Sequence, residues 1–171
     1  MTRRMEYTIA FDAPAEKVYQ DFTSPEYWQT LMDSYLEVTP RSEVISFSSG
    51  EGGTDIEFVH HVPRTYLPPI ARAVVPVDMM ITRKQHYDPF DHATNQATGT
   101  YSVSVPRGPG SFDGEYLLTD YETGSQLRLA SVCKVHIPLV GGALEELIMH
   151  HIKDIFNTEE AFTADWIAKH H

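Results

Sequence analysis

Two histidine pairs, one cysteine and a few polar residues on otherwise apolar faces are where this sequence could do chemistry. His60-His61 and His150-His151 suggest metal binding. Neighbours on a strand point to opposite faces, and neighbours on a helix diverge by about 100°, so neither pair chelates an ion by itself. There is no H-E-x-x-H, and no metal or other cofactor is expected. Cys133 has no disulfide partner in the chain, and between Ser131 and Val135 it reads as a small buried hydrophobe. Gly141-Gly142 is not followed by G-K-[ST], and Glu145-Glu146 would repel a phosphate, so no nucleotide site is assigned. No G-x-S-x-G elbow supports a serine nucleophile.

Polar groups on inward faces are the better candidates. Ile56, Phe58, His60 and Val62 share one face of a strand, so His60 points inward and His61 outward. If Met79 and Ile81 point inward, Arg83, Gln85 and Tyr87 follow them. An inward arginine would bind a carboxylate ligand, pair with a buried acid, or lie at the sheet rim; spacing does not choose. Tyr101, Tyr116 and Ser131 place hydroxyls in apolar walls.

The elements that must position these groups are read from periodicity. Met5, Tyr7, Ile9 and Phe11 alternate with polar residues and predict a first strand. Asp12 or Ala13 then caps a short helix with Pro14 early in it, and Ser24-Pro25-Glu26 starts a second. Six further strands are expected near residues 44–48, 55–62, 77–87, 94–105, 112–121 and 127–137, joined by turns rich in Gly, Asp, Asn and Ser. From 142 to 168, Leu144, Ile148, Ile152, Ile155, Phe162 and Trp166 form one helical stripe. The order is strand, two helices, six strands, long helix. It predicts an α+β domain with an antiparallel sheet whose apolar face the last helix covers. Pro138 would end the ladder, and Gly141-Gly142 would bend the chain into that helix. Residues 63–76 hold four prolines, which forbids a central strand; this apolar loop, with one short helix at 69–74, has the character of a lid or binding loop.

At 171 residues and 42% hydrophobic, the chain suits a single domain, 1–171, with a real core. Thirteen basic against 24 acidic residues give a net charge of −11, which argues against nucleic acid and against an anionic membrane face. Neither a signal peptide nor an apolar run of spanning length is read, so no integral membrane segment and a cytoplasmic location are expected. The oligomeric state stays open between monomer and homodimer.

The opening MEYTIAFDAPAEKVYQDFTSPEYW resembles the first strand and two small helices of the helix-grip, START-like superfamily (also called SRPBCC), which includes polyketide cyclases and birch-pollen-allergen relatives. The stretch VPRGPGSFDGEYLLTDYETGSQLRLASVCKVHIPLVGGALEELI is similar to the C-terminal half of an uncharacterised DUF branch of it. The resemblance covers essentially the whole chain. It implies a curved sheet of about seven strands wrapped around a long C-terminal helix, and binding of a lipid or other hydrophobic small molecule between them. The expected wall residues are Phe58, His60, Tyr66, Arg83, Tyr101, Tyr116, Ser131 and Ile148, with access near 66–76 and 50–53. The alternative is an enzyme of the cyclase or dehydratase kind with His60 as general base.

Overall fold

The structure is a computed structural model that describes residues 2–35, 41–73, 77–105 and 110–171, without the side chains of Thr2 and Tyr66. Strand β1 (Thr2–Phe11) leads into helices α1 (Ala15–Phe22) and α2 (Pro25–Tyr35). Strands β2 (Arg41–Gly50), β3 (Gly53–Val62), β4 (Met79–Tyr87), β5 (Gln96–Ser104), β6 (Gly110–Tyr121) and β7 (Gly124–Val135) follow, then helix α4 (Gly141–His170). A 3-10 turn at Arg64–Tyr66 and a four-residue helix α3 (Pro69–Arg72) lie between β3 and β4. The strands form one antiparallel sheet in the order β1-β7-β6-β5-β4-β3-β2. This is the expected α+β helix-grip architecture: α4 spans the apolar face, and the two short helices close one side.

Several local devices differ from those read in the sequence. Pro14, not Asp12 or Ala13, stands at the cap position of α1, without a side-chain cap bond. The Asp120 carboxylate on β6 accepts the Ala15 N–H instead, at 2.8 Å. A long-range contact thus satisfies a donor that a local cap would normally satisfy. The corner before α4 also works otherwise: Leu139, not a glycine, takes the left-handed conformation at φ 71°. Gly141 is required for proximity, because a Cβ there would lie 2.8 Å from the Val135 carbonyl oxygen.

The buried stripe of α4 is turned by about one position from the apolar one. Leu144, Glu145, Met149, Phe156, Thr163, Trp166 and Ile167 are buried, whereas Ile148, Ile152, Ile155 and Phe162 are half-buried at its edge. Polar partners explain the rotation. Glu145, fully buried, accepts the Val135 N–H at 2.8 Å and ties the start of α4 to the end of β7. Thr163 bonds the Tyr27 hydroxyl at 2.7 Å. Near the far end, Trp166 Nε1 donates to buried Asp21 of α1 at 3.1 Å.

Candidate functional site

The cross-strand register assembles the inner wall. Phe58, Arg83 and Val103 are neighbours in one row, and Gln85, Tyr101, Gly114 and Ser131 in the next. Tyr87, Gly99, Tyr116 and Leu129 make a third. The two glycines are seats for aromatic rings. A Cβ at Gly114 would lie 2.1 Å from the Tyr101 ring, and one at Gly99 2.4 Å from the Tyr116 ring. Each tyrosine therefore lies flat across the neighbouring strand and bonds beyond it, Tyr101 to the Ser131 hydroxyl and Tyr116 to the His86 carbonyl. The two rings are parallel, with centroids 6.0 Å apart. Burial raises the pKa of both phenols, so they are neutral hydroxyls.

One ion pair crosses from sheet to helix. Arg83 donates through both terminal nitrogens to the two oxygens of Glu159 on α4, at 3.1 and 3.2 Å. The Tyr35 hydroxyl, from the end of α2, donates to Glu159 at 2.9 Å and is also hydrogen-bonded to Arg83. The guanidinium carbon stands 4.5 Å from the centroid of the Phe58 ring, and Trp28 stacks on that ring at 5.6 Å. Burial pulls the Arg83 pKa down, but Glu159 and then Tyr35 outweigh it, leaving it above its ordinary value. The arginine is therefore charged and already engaged.

His60 occupies a compartment to one side. It is buried against Tyr35, with ring centroids 5.0 Å apart, and its Nδ1 meets the Ser42 hydroxyl at 2.8 Å. Burial and then the Arg83 charge lower its pKa to about 3, so the ring is neutral at pH 7.

Between the sheet and α4 lies a narrow cavity of about 60 Å³. Of the expected wall residues, Arg83, Tyr101 and Tyr116 line it. Phe58, His60, Ser131 and Ile148 do not: Phe58 backs Arg83, Ser131 anchors Tyr101, and Ile148 sits at the helix edge. The Tyr66 side chain and residues 74–76 of the loop lie outside the described residues. Glu159, Glu160, Gln85 and Thr163 line the cavity and were not expected. A glutamate in a helix ordinarily reads as solvated, and nothing local marks Glu159 as the partner of a residue 76 positions away. A larger hollow of about 710 Å³ lies on the opposite face of the sheet, among Arg4, Glu6, Glu57, Lys84 and Glu115, away from α4. Both histidines of the pair His150-His151 are exposed on α4.

The fold is that of the START-like, helix-grip superfamily. A norcoclaurine synthase from Thalictrum flavum, solved in complex with dopamine and hydroxybenzaldehyde, superposes with a TM-score of 0.60 at 13% identity, covering 100% of this chain and 89% of that one. The Zhui aromatase/cyclase from Streptomyces sp. R1128 superposes at 0.55 and 16% identity, covering 96% and 93%. The chain belongs to the family described as "Protein of unknown function (DUF2505)", which matches residues 6–167. The uncharacterized protein Rv0481c of Mycobacterium tuberculosis is 24% identical over 172 residues, covering 98% of each chain. Among the described residues, no helix is long and apolar enough to cross a membrane.

Proposed function

We propose that the chain, as a single domain over residues 1–171, binds a small hydrophobic molecule with an aromatic or similarly flat body between the sheet and α4. One observation carries this reading: eight of the sixteen residues around the inner cavity are aromatic, namely Phe11, Phe22, Tyr27, Trp28, Tyr87, Tyr101, Tyr116 and Phe156. Rings of this kind supply burial energy and flat contact with few rotors to freeze. Structural neighbours named for an aromatase/cyclase and for a complex with dopamine and hydroxybenzaldehyde support the same class of ligand.

The cavity of about 60 Å³ is well below the roughly 300–1,000 Å³ of ordinary ligand pockets. Binding therefore widens it. Catalysis by His60 is the weaker reading. The ring does not line the cavity, and a pKa of about 3 makes it a feeble base, whereas a general base works best with a pKa near the operating pH.

The test is mass spectrometry of an organic extract of freshly purified protein beside its intact native mass, followed by titration with an apolar dye. A bound aromatic or lipid-like molecule, or stoichiometric dye uptake, is the expected result. An empty extract with no dye uptake would mean that the tyrosines fill the core and that the chain is a scaffold.

A further inference from the structure

We propose that this cavity selects a protonated amine on a small ring over a carboxylate of the same size. The inference rests on the preceding reading that the cavity takes a ligand at all. It starts from the charges in the wall, which are Arg83, Glu159 and Glu160. Arg83 is no receptor for an anion, since Glu159 occupies both of its terminal nitrogens. A ligand carboxylate would have to displace Glu159 and leave it buried without its partner.

The surrounding hydroxyls are committed as well. Tyr101 is bonded to Ser131, Tyr116 to the His86 carbonyl, Tyr87 to Gln85 and Tyr27 to Thr163. With Arg83 and Glu159 cancelling, the charge left over is that of Glu160. It accepts one hydrogen bond, from the Tyr7 hydroxyl at 3.3 Å, and makes no ion pair among the described residues. The lining thus combines eight aromatic residues with one glutamate, Glu160, whose charge no cation in the wall offsets. A carboxylate with π faces attracts an organic cation and repels an anion. Just behind this wall a cation is already held this way, with Arg83 against the Phe58 ring.

Three one-ring probes of nearly equal size separate the possibilities: benzylammonium, benzyl alcohol and benzoate, titrated calorimetrically into the full chain at pH 7. Benzylammonium is expected to bind roughly tenfold more tightly than benzoate, with the alcohol between them. Glu160→Gln is expected to reduce benzylammonium to the level of the alcohol and leave the alcohol unchanged. Glu51→Gln, at an exposed turn, controls for the general acidity of the chain and leaves the ranking intact. Benzoate binding as well as the amine, or a ranking that survives Glu160→Gln, overturns the inference while leaving the cavity reading in place. Failure of all three probes, the neutral alcohol included, overturns the cavity reading and this inference with it.

Discussion

Replacing Arg83 by methionine removes one half of an ion pair whose side chains are only 10% and 15% exposed. Glu159 keeps its bond from Tyr35 but loses two charge-assisted bonds and its counter-charge. Breaking a buried pair from one side costs about 3–5 kcal/mol, because the remaining charge is stranded. For a chain of this length, that corresponds to a fall in Tm of roughly 6–20 °C. Replacing both partners, Arg83→Met with Glu159→Met, strands nothing and is expected within about 1 kcal/mol of wild type, or above it. Urea unfolding followed by circular dichroism on the wild type, both single variants and the double variant gives the coupling directly. Single variants within about 1 kcal/mol of wild type, or a double variant equal to the sum of the singles, would refute the view of this pair as a buried clasp between sheet and helix.

Gly114→Ala puts a Cβ into the Tyr101 ring; the ring must swing off Ser131, with an expected loss of about 1–3 kcal/mol and of dye uptake. Retention of both would show that the ring does not need its glycine seat. Two histidines set opposite pH limits. The His86 pKa is raised, first by its hydrogen bond to Asp55 and further by Asp88. Its contribution is therefore fully present below pH 6.5 and is lost as pH rises through the raised folded value. The His60 pKa is depressed to about 3, so stability falls as pH drops from 6.5 toward that value. Urea midpoints measured across pH should flatten on the alkaline side in His86→Gln and on the acid side in His60→Gln. Burial and then Glu145 push the Cys133 thiol up to about 11, so it should resist a thiol reagent at pH 8 until the chain is unfolded; prompt reaction of the native protein would contradict its burial.

Much of the frame was legible because it depends on local repetition. Alternation in β3 and β7 placed Phe58, His60 and Cys133 on the inner face, and the structure has them buried there, together with Arg83 of β4. The unbroken run from 142 to 168 marked α4, which spans Gly141–His170. The candidate site was legible only in part. Arg83 was placed inward only on the condition that Met79 and Ile81 are, with its partner left open among ligand, buried acid and rim. The apolar residues of α4 pointed to a stripe through Ile148 and Ile155, and the inward roles of buried Glu145 and half-buried Glu159 beside it went unseen because a charged residue ordinarily marks the solvated face. Nothing local marks Gly99 and Gly114 as ring seats; that role follows from their cross-strand neighbours, Tyr116 and Tyr101.

By itself the sequence determined which face of each element is apolar, the order of the elements, and the single helix left to cover the sheet. These follow from periods of two and 3.6 residues, which any short window displays. Tertiary structure decided which polar groups meet: Arg83 with Glu159 and Tyr35, Tyr101 with Ser131, Ala15 with Asp120. Those contacts join residues 30 to 105 positions apart. They depend on strand register and on the rotation of α4 about its axis, which only the packed core sets.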